Sequence, residues 1–246
     1  MELKGKNALV TGATKGIGKA TIEALIKKGV NVAINYLNDE ESAKSLNEMA
    51  IAGGVKAITL KADIRKESEV RGMIDSIRDK FETLDILVNN AGIFDENDGP
   101  ENLDSFRNIF EMNFLAQVSV TNEALKLMNG GKIVFVTSIH GRLGHGRPDA
   151  IAYSSMKAGL DSYMKNLAKY LAPKILVNSI APGKTITPMW GKIDEEYIAK
   201  EAKDHAIGRW IQPEEIADGV IFLVQNDSVC GEILTIDGGM SIKTLG

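Results

Sequence analysis

Tyr153 is followed four residues later by Lys157 in the run AYSSMKAGL, and Ser138 closes the apolar stretch IVFVTS upstream. On a helix, side chains four apart share a face, so this spacing sets an ammonium beside a phenol. A free tyrosine has a pKa of about 10. A nearby cation favours the phenolate and lowers that value, bringing a proton donor and acceptor closer to working pH. The chemistry implied is acid/base work on an oxygen atom. The same spacing also occurs on amphipathic helices with no such duty, so the surrounding elements must decide.

The N-terminal segment NALVTGATKGIGKATIEALIKKG reads as an apolar strand, a turn carrying Gly12, Gly16 and Gly18, and a helix. Such a turn aims backbone N–H groups and a helix N-terminus at whatever lies above it, which suits a diphosphate. Glycine lets the backbone approach the ligand closely. The spacing here is G-x-x-x-G-x-G, whereas the commoner dinucleotide fingerprint is G-x-G-x-x-G.

Strands are expected near 7–11, 31–36, 55–61, 84–88, 131–137, 174–178 and 232–236, and helices near 16–29, 39–53, 67–82, 103–128, 151–172 and 213–225. Runs such as ILV and KIVFVT are apolar on both faces, as parallel strands covered by helices on each side should be. Right-handed crossovers then give an α/β fold with a doubly wound sheet. Ligands in such sheets gather beyond the carboxyl ends of the strands. Gly12, Asp63, Asn90, Ser138 and Pro182 all fall there.

Composition fits a compact domain: 246 residues, 44% hydrophobic. No stretch approaches the 18 or more apolar residues of a membrane span, and no signal-peptide pattern precedes the first strand, which points to the cytoplasm. The single cysteine, Cys230, excludes an internal disulfide framework and reads as a buried inert thiol. A net charge of −4 gives no footprint for nucleic acid. His140, His145 and His205 lack metal-ligand spacing.

The motifs arrive in a recognisable order: TGATKGIG, Asp63 after the third strand, NNAG at 89–92, Asn113 in EMNFLA, Ser138, the Tyr153/Lys157 pair, and the Pro182–Gly183 dipeptide. The chain resembles the short-chain dehydrogenase/reductases nearly end to end, most closely the β-ketoacyl-acyl-carrier-protein reductases and the bacterial-type sugar dehydrogenases. The resemblance implies one Rossmann domain over residues 1–246, with seven strands in the order 3-2-1-4-5-6-7 and helices on both faces. It also implies the roles. Tyr153 is the general acid in carbonyl reduction and the base in alcohol oxidation; Lys157 lowers its pKa and holds the nicotinamide ribose. Ser138 donates to the substrate oxygen, and Asn113 holds a water of the proton relay, although its amide could instead satisfy local backbone.

Cofactor contacts are expected from Gly12, Lys15, Gly16, Ile17 and Gly18, from Asp63 and Ile64 at the adenine, and from Asn90, Ala91 and Gly92. Tyr153, Lys157, Pro182, Gly183, Thr185 and Thr187 lie by the nicotinamide, with Thr185 trusted only for its backbone and Asn89 taken as structural. Asp63 equally suits local capping. NADP is preferred over NAD, because Asn35, Tyr36 and Leu37 offer no carboxylate at the second strand's tip while Lys15 supplies a base. Asp39 competes for the ribose, but NDEE also reads as a helix start with Asn38 as N-cap. Leu37, where many NADP users carry arginine, weakens the case for NADP.

The long connection from about 184 to 212 is expected to form a substrate lid, with Met189, Trp190 and Ile193 either facing substrate or anchoring the lid. A carrier protein would be met by Lys126, Lys132 and Lys174, a thin basic patch. His140, Arg142, His145 and Arg147, in a Ser138–Tyr153 interval about two residues longer than in relatives, suit an anionic or hydroxylated substrate or plain solvation. Three readings stand: a 3-oxoacyl thioester reductase first, a sugar or polyol dehydrogenase second, and a non-catalytic dinucleotide sensor third. The resemblance also implies a homotetramer.

Overall fold

The computed structural model describes residues 1–142 and 145–242. Its strands are β1 (Asn7–Val10), β2 (Asn31–Tyr36), β3 (Ala57–Lys61), β4 (Ile86–Asn89), β5 (Gly131–Val136), β6 (Ile175–Pro182) and β7 (Ile233–Ile236). They form one sheet in the order 3-2-1-4-5-6-7, every neighbouring pair parallel. Val10 pairs with Ile34 on one side and Val88 on the other, so β1, β2 and β4 end near one level. The chain reverses its direction of strand addition between β1 and β4, which opens a crevice above that point.

Among the described residues the α-helices are α1 (Gly16–Lys27), α2 (Glu40–Ala52), α3 (Glu67–Phe81), α4 (Leu103–Phe110), α5 (Ala116–Ala124), α6 (Ile151–Leu171), α7 (Glu195–Glu201) and α8 (Pro213–Gln225). Side chains alternate between the two faces, as the strand period requires. Leu9, Leu87, Ile133 and Phe135 pack with Ile74 of α3, Val120 of α5 and Leu160 and Met164 of α6. Ala8, Val10, Val88 and Val134 pack with Leu25 of α1, Leu46 of α2 and Val220 of α8. Each large side chain buried this way stabilises the fold by about 1.5–3 kcal/mol, which outweighs local propensity wherever the two conflict.

Four expectations are corrected. Strand β6 runs to Pro182 instead of ending at 178, because Ala181 and Pro182 pair with Thr235 and Ile236 of β7. The helix expected over 103–128 is α4, a π turn at Glu111–Leu115 and then α5, which ends at Ala124. No Gly or Pro marks that interruption in the sequence. Helix α2 is capped by Asp39, not Asn38: the Asp39 carboxylate accepts from the Ser42 N–H at 3.1 Å. Cys230 is exposed, in the turn leading into β7.

Candidate active site

Where β1 runs into α1, Gly12 and Gly16 adopt φ of +59° and +49°, the left-handed region that glycine tolerates. Two buried or half-buried amides fix this turn. Asn35 accepts from the Gly12 N–H at 3.2 Å while donating to the carbonyls of Leu60 and Ala62. Asn90 donates to the carbonyls of Thr11 and Gly12. Gly18 serves packing, since a Cβ there would stand 2.4 Å from the Gly12 oxygen. No side chain caps α1 and no acid lies in its first turn, so its leading N–H groups remain open to an anion. By contrast α2, α4 and α7 are capped by Asp39, Asn102 and Asp194.

Beyond this turn lies a cleft of about 540 Å³. Gly12, Lys15, Gly16 and Ile17 line one end; Asn90, Ala91, Gly92, Ser138, Tyr153 and Lys157 line its middle; Pro182, Gly183, Thr185 and Thr187 line the side toward β6. Among the described residues its charged lining is wholly basic, from Lys15, Arg147, Lys157 and Lys184, with His140 beside them and no carboxylate. Gly18, Asp63, Ile64 and Asn113 are not part of the lining. Asp63 is engaged locally: its carboxylate takes the Arg65 guanidinium at 2.7 and 2.9 Å, and its N–H donates to Glu69. Asn89 donates to Thr121, a structural bond as expected.

The catalytic candidates converge from three elements. Ser138 follows the end of β5, buried, with its hydroxyl accepting from the His140 N–H at 3.2 Å. Tyr153 sits in the first turn of α6, whose N-terminus is held by Asp98, the carboxylate accepting from the Ala152 and Tyr153 N–H groups at 2.9 Å each. Phe94 meets the Tyr153 ring edge-on at 5.8 Å, and the Arg147 guanidinium lies 5.8 Å over Phe94. Lys157, one turn along, places Nζ 5.6 Å from the Tyr153 ring centroid and donates to the Val136 carbonyl at 2.8 Å.

The electrostatics differ from the expectation that Lys157 lowers the phenol. Burial pushes the Tyr153 pKa up, opposed by a hydrogen bond with Ser138 and by the charge of Arg147. The Lys157 amine is turned to a backbone carbonyl, and burial brings its own pKa down to about 8, with Asp161 opposing. A phenol held high is a proton donor near neutral pH. Asn113, fully buried in the π turn, spends both amide ends on Ile93, accepting from its N–H and donating to its carbonyl at 2.8 Å each. That is the local reading of its side chain. A Cβ on Gly92 would stand 3.1 Å from the Asn113 oxygen and 3.7 Å from the Lys157 amine, so all three residues meet.

A family model described as enoyl-(acyl carrier protein) reductase matches residues 12–241. The 3-oxoacyl-[acyl-carrier-protein] reductase of Synechocystis is 35% identical, over 97% of this chain and 98% of that enzyme. The chain belongs to the short-chain dehydrogenase/reductase family. Glucose 1-dehydrogenase 2 of Bacillus subtilis is 33% identical over 98% of this chain and 96% of that one. A short-chain dehydrogenase from Burkholderia cenocepacia, solved in complex with NADP, superposes with a TM-score of 0.89 at 34% identity, covering 98% of this chain and all of that one. As a short-chain dehydrogenase/reductase, the protein is an oxidoreductase.

Several parts of this dehydrogenase/reductase site carry no motif: Asn35, Phe94, Asp98 and Arg147. Asn35 was legible only as a missing carboxylate. Asp98 and Phe94 lie in an irregular loop with no periodicity to place them. The 184–212 connection contains a short 3-10 turn at Pro188–Trp190, and then α7. Thr187 seats it on the glycine turn, since a Cβ on Gly16 would stand 2.9 Å from its methyl group. Trp190 lines the cleft, and its indole donates to the Thr185 carbonyl at 3.0 Å beside the buried Trp210. Met189 lines the cleft and Ile193 does not. Among the described residues no cluster of His, Cys, Asp and Glu could hold a metal ion, and no helix is long and apolar enough to cross a membrane.

Proposed function

We propose that this oxidoreductase reduces the carbonyl of a 3-oxoacyl thioester with NADPH. The observation that carries the reading is the grouping of Ser138, Tyr153 and Lys157 in one cleft that runs from the uncapped N-terminus of α1. That helix end and the basic lining fit a dinucleotide's phosphates. Gly12, Gly16, Ile17, Asn90, Ala91 and Gly92 would hold its body, and Tyr153, Lys157, Pro182, Gly183, Thr185 and Thr187 would flank its nicotinamide. When bound, the dinucleotide supplies a hydride. Lys15 favours NADP, although its amine now sits 3.4 Å from Asp39, and a 2′-phosphate would have to draw it away from that carboxylate. The NADP complex of the Burkholderia relative supports the same choice.

Ser138 donates a hydrogen bond to the substrate oxygen and so stabilises the charge that grows there. Tyr153 donates its phenolic proton to that oxygen, and the cationic charge of Arg147 favours the phenolate left behind. Ile93, Phe94, Met112, Met189 and Trp190 give the cleft apolar walls suited to an acyl chain, and the 184–212 segment acts as the lid that excludes water. A carrier protein would find little basic surface at the sites expected. Lys132 is buried against Asp227 and Lys126 is paired with Glu123 at 2.6 Å, which leaves Lys174. A sugar or polyol dehydrogenase is the second reading, favoured by His140 and Arg147 in the lining and by the likeness to glucose 1-dehydrogenase 2. The exposed aromatic and aliphatic side chains of α4 and the following π turn support a homotetramer.

NADPH oxidation with acetoacetyl thioesters should exceed NAD(P) reduction with any sugar or polyol of a panel. Tyr153→Phe should lower the rate at least a hundredfold, the usual scale of a lost general acid. Turnover confined to the sugars would replace the first reading with the second. No turnover of any carbonyl or alcohol would leave a dinucleotide-binding protein without catalysis.

A further inference from the structure

Tyr153, Lys157 and Asp161 follow one another at four-residue intervals on α6 and therefore share a face of that helix. Asp161 is only 6% exposed, and both carboxylate oxygens are buried without a hydrogen-bond partner among the described residues. A carboxylate is costly to bury in this state, and packing does not require one, since the neighbouring Leu160 and Met164 already fill the core against β5. The groups that face it are few. Thr137, just beyond β5, gives its hydroxyl hydrogen to the Ile180 carbonyl instead. The Ser179 hydroxyl on β6 is itself without a partner. Arg142, in the turn after β5, reaches toward the Ile233 carbonyl and the Thr235 hydroxyl at 3.4 Å. The remaining charged neighbour is Lys157, one turn back on α6 and only 3% exposed.

We infer that Asp161 is a positioning residue of the reaction: its buried carboxylate is the counter-charge that keeps the Lys157 ammonium in place beneath Tyr153. Lys157 bonds Val136 directly and meets Tyr153 on its other side, so within α6 Asp161 is the anion on its face. Burial raises the Asp161 carboxyl, while Thr137, Ser179, Arg142 and Lys157 all favour its charged form; reciprocally, its charge opposes the burial that lowers Lys157. The inference rests on the proposed roles of Tyr153 and Lys157. Removing the negative charge should let Lys157 lose its proton at lower pH.

The test is the pH profile of kcat/KM for carbonyl reduction in the wild type, Asp161→Asn and Asp161→Leu, with Tyr153→Phe as a control. Leucine has no polar group to leave unsatisfied at this buried position, so it guards against a failure of the asparagine variant to fold. In either folded variant the alkaline limb should move down by about half a pH unit, roughly halving activity at the wild-type midpoint. An unmoved limb in a folded variant overturns the inference, as does failure of both variants to fold, which would make Asp161 a residue of the fold alone. If Tyr153→Phe stays active, it is the underlying catalytic reading that fails instead.

Discussion

At the scale of single residues, the phenol of Tyr153 is governed by its burial, by the Ser138 hydroxyl and by one cation that no motif announces. Arg147 is held by Asp149, with its Nε 2.9 Å from the carboxylate, and its charge draws the Tyr153 pKa downward against burial. Arg147→Met should therefore raise that pKa. Reduction needs the protonated phenol, so the upper alkaline ionisation of its profile, above that of Lys157, should move to higher pH, by about half a unit or ~0.7 kcal/mol. Alcohol oxidation, which needs the phenolate, should slow at neutral pH in the same variant. Parallel pH profiles in both directions check this, and a limb moving down in Arg147→Met would refute the sign. Tyr153, Lys157 and Ser138 were legible because their chemistry depends on spacing within a helix and on the end of an apolar strand. Arg147 was visible only as one of four polar groups in a loop. Its guanidinium lies over Phe94, a contact made in space and not in sequence. The direction of the phenol's shift was misread for the same reason: four-residue spacing fixes which face Lys157 occupies, but not that its amine turns to Val136.

At the scale of elements, the catalytic helix depends on a cap from a distant loop. Asp98 satisfies two leading N–H groups of α6 from 54 and 55 residues away, and it is buried. Asp98→Ala should destabilise the protein by about 1–2 kcal/mol, the scale of a lost helix cap with a buried donor left over. In a chain of this size that corresponds to a fall in Tm of roughly 2–8 °C. Because the same turn carries Tyr153, kcat should fall by more than the affinity for NADPH, measured by steady-state kinetics alongside cofactor titration. Equal losses would mean the cap supports the fold without aiming the phenol. The apolar runs of β4 and β5 were readable because strands buried on both faces leave no polar alternation. The π turn at Glu111–Leu115 was not, since nothing in EMNFL breaks a helix; it coincides with the Asn113 amide bonding the main chain of Ile93. Nor was the true extent of β6, which is set by the partner strand β7 and not by its own residues.

At the scale of the whole molecule, the outer face of α4 and the turn after it leaves a cluster of apolar groups in water. Leu103 is 62% exposed, Phe106 38%, Phe110 36% and Leu115 40%. Tyr170, near the C-terminal end of α6, is 82% exposed. Leu103, Phe106 and Phe110 recur at helical spacing and so share one face of α4, an apolar stripe suited to a subunit contact. An interface between two copies is self-complementary, so one added charge enters it twice. Phe106→Glu combined with Phe110→Glu should shift the protein from the proposed tetramer to a dimer or monomer, as measured by light scattering coupled to size exclusion. Neither side chain lines the cleft, so NADPH affinity should change by less than about threefold, under 1 kcal/mol. A wild-type chain that scatters as a monomer, or a double variant that stays tetrameric, would place the contact elsewhere or remove it.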